Sequence, residues 1–159
     1  MDKPKYTIST AARLLGISIP TLRLYEREGL IIPYKKDSNH RLYSDADLER
    51  IRCIRTAISE DKMSIEGIKR ILSLVPCWAL IQCPIEDRDT CAAYIGHNAP
   101  CWKLTHKSEF CQGKECRECI VYREYTDCNS IKGGIKSLLQ SISLPHGTAG
   151  ISEELGTRS

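Results

Sequence analysis

The sequence predicts a mainly α fold with a small β wing, followed by a small cysteine-rich module and a short C-terminal helix. Three observations predict this order. Helix-capping residues and apolar residues at helical spacing recur through the first 75 residues. Eight of the nine cysteines then lie between Cys77 and Cys128. A last apolar pattern at helical spacing follows the cysteines.

The first two predicted helices lie close together in the sequence. Thr7 is expected to cap the first helix and Gly16 to end it. Ser18 is expected to cap the second helix, with Pro20 at its start, where a missing N–H costs nothing. Gly29 ends the second helix. Two helices joined by a tight turn that contains glycine form a helix-turn-helix.

A wing and two further helices are expected next. The apolar run 30–33 and the segment 41–43 flank a polar tip and predict two short strands. Ser44 is expected to cap a third helix that has acidic residues in its first turn. Ser64 is expected to cap a fourth helix, and Pro76 closes the unit. Residues 1–75 are therefore predicted to form a winged helix-turn-helix domain.

The motifs of this segment resemble one known family. They are Leu15-Gly16-Ile17-Ser18, Thr21-Leu22-Arg23-Leu24-Tyr25-Glu26-Arg27-Glu28-Gly29-Leu30-Ile31, Arg41-Leu42-Tyr43-Ser44 and Met63-Ser64-Ile65-Glu66-Gly67-Ile68-Lys69. In this order they resemble the MerR family of transcriptional regulators over about residues 6–74. The resemblance implies a homodimer that binds promoter DNA, distorts it and works with RNA polymerase.

Eight residues are predicted to contact double-stranded DNA. Arg23, on the second helix, is placed to reach a base edge or a phosphate in the major groove. Thr21 and Tyr25 offer hydroxyls to the DNA backbone, and the basic residues of the wing are natural phosphate contacts. The alternative for Tyr25 and Tyr43 is a role in the core or hinge. The predicted set is Ser18, Thr21, Arg23, Tyr25, Lys35, Lys36, Arg41 and Tyr43.

The cysteine run contains an internal near-repeat, because Pro76-Cys77-Trp78 is echoed by Pro100-Cys101-Trp102. This double Cys-Trp pattern resembles the small module called the two-CW domain, over residues 77–122. About fifty residues with so few apolar side chains need a metal or a disulfide to hold a fold. Residues 76–128 are therefore predicted to form a cysteine-rich metal-binding module. The predicted ligands are Cys77, Cys83, Cys91, Cys101, Cys111, Cys116 and Cys119.

The ligand type leaves the metal open. Thiolate-only sites suit both iron–sulfur clusters and zinc. The irregular spacing, with a single Cys-x2-Cys pair at Cys116 and Cys119, favours an iron–sulfur cluster, with zinc as the alternative. Disulfides or free thiols are the remaining possibility. Cys128 lies beyond the pattern and is predicted not to be a ligand, and Cys53 is predicted to be a buried structural thiol.

The last segments follow from periodicity and composition. Residues 129–144 are predicted to form a short amphipathic helix, with Ile131, Ile135, Leu138, Leu139 and Ile142 on one face. MerR-like regulators usually place a long dimer helix after the DNA-binding domain, where Pro76 and Cys77 interrupt this chain. The short helix is therefore a candidate for dimerisation, and packing on its own module is the alternative. Residues 145–159 are predicted to be a disordered tail.

Composition and charge limit the function classes. The net charge is +3, and residues 1–75 hold 14 Lys and Arg against 10 Asp and Glu. This excess suits either a phosphate-facing surface or an ordinary solvated one. No run approaches the roughly 20 apolar residues of a membrane span, and no signal peptide is apparent. We therefore expect a cytoplasmic protein with no membrane partner, whose thiols stay reduced.

Three functions fit these observations. The first is a DNA-binding transcriptional regulator whose metal centre senses redox state, oxygen or metal. The second is a DNA-binding protein with a purely structural zinc module that serves protein–protein interaction. The third, a redox or electron-transfer protein, is least favoured, because no nucleotide-binding glycine motif or acid–base constellation accompanies the thiols. The chain is therefore not expected to be an enzyme.

Overall fold

The computed structural model describes residues 2–36, 38, 40–96, 98–104, 111–125 and 128–141, with the backbone alone at 128, 129 and 141. The described chain is mainly helical. Its α-helices are α1 (Ile8–Leu15), α2 (Ile19–Arg27), α3 (Asp45–Ser59), α4 (Ile65–Ser73), α5 (Cys77–Leu80), α6 (Ile85–Arg88), α7 (Ala92–Ile95), α8 (Ile120–Glu124) and α9 (Cys128–Ser141). Short 3₁₀ helices span Cys101–Lys103 and Cys116–Glu118. In these ranges no helix is both long enough and apolar enough to cross a bilayer.

The first four helices begin at the predicted capping residues. The side chains of Thr7, Ser18, Ser44 and Ser64 each accept a hydrogen bond from a backbone N–H in the first turn of α1, α2, α3 and α4, respectively. Helix α1 ends at Gly16, whose φ of 63° is left-handed. The predicted helix-turn-helix is therefore confirmed, because short-range capping chemistry sets its boundaries.

The wing belongs to a three-stranded antiparallel sheet. Its strands are β1 (Tyr6–Thr7), β2 (Tyr34–Lys35) and β3 (Arg41–Tyr43), in the order β1-β3-β2. Strand β1 was not expected, since two residues are too few to show an alternating pattern. The first wing strand begins at Tyr34 rather than within the run 30–33. Leu30 and Ile31 are buried in the core and so do not belong to the exposed wing.

The cysteine-rich segment shares a core with the winged helix-turn-helix. Val121 of α8 and Ile131 of α9 belong to the same buried cluster as Leu22 of α2 and Ile51 of α3. Burial of such aliphatic side chains contributes about 1.5–3 kcal/mol each. The segment therefore packs as a second layer on the helix-turn-helix.

The Cys-Trp near-repeat has a structural counterpart. Trp78 meets Tyr94 edge to face, with ring centroids 5.0 Å apart and an interplanar angle of 86°. Trp102 meets Tyr122 in the same way, at 5.1 Å and 88°. Each repeat thus provides one aromatic pair of a favourable geometry.

The predicted apolar face of the C-terminal helix is divided. Ile131 is buried, whereas Ile135 and Leu139 are exposed. Ile142 and the predicted tail 145–159 lie outside the described residues. Helix α9 therefore packs on the rest of the protein through Ile131 and also presents an exposed apolar surface through Ile135 and Leu139.

Candidate nucleic-acid interface and thiol cavity

Helix α2 presents the predicted base-contacting residue. The Ser18 hydroxyl accepts the Thr21 N–H at 3.1 Å and lies 2.8 Å from the Thr21 hydroxyl. Ser18 therefore caps the helix, and the half-buried Thr21 holds the Ser18 hydroxyl in place. Arg23 is exposed two residues further along. A long cationic side chain on the surface of this helix suits a groove contact.

The wing carries exposed cations and is tied to α2. Lys35 and Lys36 are exposed on and beside β2. Arg41 donates from Nε to a carboxylate oxygen of Glu26 at 2.6 Å, and the Tyr43 hydroxyl donates to the other carboxylate oxygen of Glu26. Glu26 on α2 therefore fixes the wing against the second helix.

The two predicted tyrosine contacts are buried. Tyr25 is 6% exposed and Tyr43 is 0% exposed. Burial raises the pKa of both hydroxyls, and Glu26 raises that of Tyr43 further. This environment supports the alternative role in the core and hinge, because a direct DNA contact by Tyr43 would require the wing to separate from α2.

The cysteine module contains a cavity of about 250 Å³. Trp102 and Tyr122 also form part of its wall. Five of the seven predicted ligands line it, and none of these five forms a disulfide within the described part of the chain. They are Cys77, Cys101, Cys111, Cys116 and Cys119. The fold thus brings together thiols that are up to 42 positions apart, from 77 to 119.

The thiols of this cavity influence each other. Cys101 donates a hydrogen bond to Cys77, which lowers the pKa of Cys77 and, with burial, raises that of Cys101. Burial and neighbouring thiols raise the pKa of Cys111 to about 11. Burial also raises the pKa of Cys116. Several thiolates would coexist here only beside a compensating cation, since each disfavours ionisation of the next.

The other four cysteines are placed differently. Cys83 and Cys91 are buried outside the cavity wall, yet they are close enough to Cys111 to raise its pKa. The prediction that Cys53 is buried is wrong: it is exposed, on the solvent side of α3. Its spacing from the apolar residues of that helix turns it away from the core. The side chain of Cys128 lies outside the described residues.

The donor set fits a thiophilic metal centre by its chemistry. Sulfur ligands select zinc and iron–sulfur clusters over the hard cations that prefer oxygen. Across the described ranges, however, no three Cys, His, Asp or Glu side chains are arranged so that they could hold a metal ion together. The five thiols share a cavity but do not form a closed ligand set.

The module also contacts the joint between α2 and the wing, defined here as residues 27–32. The Trp102 indole N–H donates to the Gly29 carbonyl at 2.6 Å. The Ile32 N–H donates to the Tyr122 hydroxyl at 2.8 Å. Two cavity-wall aromatics therefore hold the backbone of the joint.

Two arginines complete this interface. Arg117 forms a two-armed ion pair with Asp47, with N–O distances of 3.0 and 2.5 Å, and it also donates to the Ile32 carbonyl. Arg50 donates to the Tyr122 carbonyl and lies over the Tyr122 ring, 3.5 Å from its centroid. None of these contacts was predicted, because their partners lie 70 or more positions apart.

One sequence signal points to Arg117. It lies between Cys116 and Cys119 in the sequence, so its backbone is held in place wherever these two thiols line the cavity. No comparable sequence feature predicts that Trp102 and Tyr122 contact the joint, since both are common core residue types.

Comparison with known proteins defines the class. Residues 6–74 match the family described as MerR HTH family regulatory protein. A "Probable heavy metal-dependent transcriptional regulator" of Haemophilus influenzae is 31% identical over 121 residues, which cover 72% of this chain and 94% of that protein. The chain therefore belongs to the MerR family of helix-turn-helix regulatory proteins.

Other relatives match less than half of this chain. HspR of Streptomyces coelicolor, named as a heat shock protein, is 40% identical over 73 residues, which are 46% of this chain and 48% of HspR. The HTH-type transcriptional regulator MlrA of Escherichia coli is 41% identical over 69 residues, which are 43% of this chain and 28% of MlrA. The chain thus matches about half or less of the length of these two relatives. No solved structure matches it significantly.

Proposed function

We propose that this protein is a sequence-specific transcriptional regulator whose thiol cavity binds a metal centre and thereby controls DNA binding. One observation carries the proposal. Two residues of the cavity wall, Trp102 and Tyr122, hydrogen-bond the joint, residues 27–32, that connects the second helix of the helix-turn-helix to its wing. A change in the cavity is therefore adjacent to both DNA-contacting elements.

The DNA-contacting surface consists of α2 and the wing. Arg23 contacts base edges in the major groove, and Lys35 and Lys36 neutralise phosphates. Ser18 and Thr21, at the start of α2, are placed for a backbone phosphate, which helix N-termini favour. Arg41 keeps about a third of its side chain exposed while paired with Glu26 and adds a further phosphate contact. The target is promoter DNA.

The metal centre is held by thiolates that line the cavity, with Cys83 and Cys91 as further candidate ligands. An iron–sulfur cluster is favoured, because the donors are all sulfur and the wall includes the aromatic side chains of Trp102 and Tyr122. Zinc is the alternative. The centre supplies a charge that compensates several thiolates, and its gain, loss or oxidation is the signal. A relative named as heavy metal-dependent supports a metal signal.

The proposed units are the DNA-binding domain 1–75, the metal-binding module 76–128 and the helix 129–144, and the segment 145–159 lies outside the described residues. The protein acts as a cytoplasmic homodimer that works with RNA polymerase. The exposed Ile135 and Leu139 of α9 support a role for this helix in dimerisation.

A second candidate function is a regulator in which a zinc module is only structural. The shared core favours it, since Val121 and Ile131 pack against the DNA-binding domain. In that case the metal stabilises the fold, and its removal unfolds the protein instead of altering the affinity of a folded protein.

Anaerobic purification followed by quantification of iron, sulfide and zinc tests the centre. Iron with equimolar sulfide and broad visible absorption would identify a cluster, whereas zinc in a colourless protein would identify the alternative. DNA affinity, measured on sites selected from a random duplex pool, is then compared between metal-loaded and metal-free protein. Equal affinities for two folded forms would refute the sensor function and leave DNA binding intact.

A further inference from the structure

We infer that Trp102 and Tyr122 are positioning residues that transmit the state of the thiol cavity to the DNA-contacting elements. Both side chains line the cavity. Both also hydrogen-bond the joint, Trp102 to the Gly29 carbonyl and Tyr122 to the Ile32 N–H. This inference rests on the proposed function, because it describes how the same cavity acts on DNA binding.

Both aromatic side chains are covalently close to cavity thiols. Trp102 directly follows Cys101, and Tyr122 comes three residues after Cys119. Their rings meet edge to face at 5.1 Å, so a displacement of one ring is felt by the other. A rearrangement of Cys101 and Cys119 around a metal therefore moves both rings as a pair.

The joint responds to such a movement as a unit. Leu30 and Ile31, between the two hydrogen-bonded positions, are each only 1% exposed. Gly29 adopts a φ of 77°, and the Lys103 side chain lies over it. Closely packed segments shift between discrete arrangements more readily than they deform. A shift of the joint strains the Glu26 contacts that hold the wing against α2 and so changes the spacing of the DNA contacts of these two elements.

The near-repeat supplies an internal control. Trp78 and Tyr94 have the same edge-to-face geometry as Trp102 and Tyr122. Within the part of the chain that the structure describes, neither of them lines the cavity or belongs to the cluster packed on the shared core. Matched substitutions in the two pairs therefore separate transmission from a general effect of losing a polar aromatic group.

The experiment compares Trp102→Phe and Tyr122→Phe with Trp78→Phe and Tyr94→Phe in the full-length protein. DNA affinity is measured for each protein as purified anaerobically, with its measured metal content, and after removal of that metal. The readout is the ratio of the two dissociation constants, because a merely structural residue would change both constants alike. Metal content and thermal midpoint are recorded for every variant.

For the wild type we expect a ratio of at least about fivefold, the lower end of typical allosteric coupling. The ratio should fall towards one in Trp102→Phe and Tyr122→Phe while their metal content is unchanged, and both controls should keep the wild-type ratio. A full ratio in both test variants, or an equal loss in the controls, would overturn the inference and leave the proposed function standing. If the wild type binds no metal, or if its two dissociation constants are equal, both the inference and the proposed function are overturned.

Discussion

Arg117 of the cysteine module and Asp47 in the first turn of α3 form a two-armed ion pair, with N–O distances of 3.0 and 2.5 Å. Their side chains are only 11% and 5% exposed. Asp47 also accepts the Ser44 N–H at 2.8 Å and so completes the capping box of α3. One carboxylate therefore fixes both a helix terminus and the docked module.

The first prediction concerns this carboxylate. Asp47→Asn should lower the free energy of unfolding by about 3–5 kcal/mol, because it leaves a buried guanidinium uncompensated. Asp45→Asn is the matched control, since Asp45 pairs with Lys5 at 2.5 Å but both side chains are more than half exposed. The Asp45→Asn change should cost far less stability, because solvent screens an exposed ion pair. Urea unfolding measures both values, and similar costs would contradict the importance of burial.

Two adjacent glycines of α9 should respond with opposite signs. A Cβ at position 134 would overlap the ring of Tyr125, whereas a Cβ at position 133 would meet no atom within 4 Å. Gly133→Ala should therefore stabilise the protein by about 0.5–1 kcal/mol through helix propensity. Gly134→Ala should destabilise it, since helix and ring must move apart. Thermal unfolding of the two variants tests whether α9 packs on Tyr125, and stabilisation by both would exclude that packing.

Cations of α2 and the wing should contribute differently to DNA binding. Arg23→Gln should cost about 1–3 kcal/mol and relax base preference at one position. Lys36→Gln should weaken binding to all sequences and reduce the salt dependence by about one unit of log–log slope. Lys132→Gln, at an exposed position of α9, is the control. It should alter neither the DNA affinity nor its salt dependence. DNA titrations at several salt concentrations measure these effects. An unchanged affinity in Arg23→Gln would show that Arg23 of α2 does not contact the DNA.

Substitution of one cysteine inside the thiol cavity and one outside it tests whether the cavity binds metal. Cys101→Ser should lose most of the bound metal, because the thiolate is the ligand and a hydroxyl does not replace it. Cys53→Ser changes an exposed residue of α3 and should retain the metal. Metal-to-protein ratios after anaerobic purification measure the effect. Retention of metal by Cys101→Ser would exclude this thiol from the ligand set.

Buried phenols should limit stability at alkaline pH. Burial raises the pKa values of Tyr25, Tyr43 and Tyr122, and Glu26 adds to that of Tyr43. The neutral forms are therefore favoured in the folded state, so this stability is fully present below the unfolded pKa of about 10 and is lost as the pH rises above it. The Tyr43→Phe variant should show a shallower alkaline decline in urea midpoint. An identical decline would mean that Tyr43 ionises as readily when folded.

The helix-turn-helix could be predicted because its signals are local. Ser18 caps α2 and Ser44 caps α3, each through atoms three residues away, and such contacts follow from the residue types alone. The prediction that Cys53 is buried rested on its apolar neighbours in the sequence, whereas its helical spacing from the apolar face of α3 turns it to solvent. Likewise, Tyr43 carries a hydroxyl typical of a surface contact, yet Glu26 draws it inward.

The sequence by itself determined the first four helices, the second wing strand at 41–43, the number and positions of the cysteines and the MerR family resemblance. Only the tertiary structure decided that five of the cysteines line one cavity and that Trp102, Arg117 and Tyr122 hold the joint and α3. These contacts join residues 70 or more positions apart. Such pairs depend on how the layers pack, a global property that no local periodicity encodes.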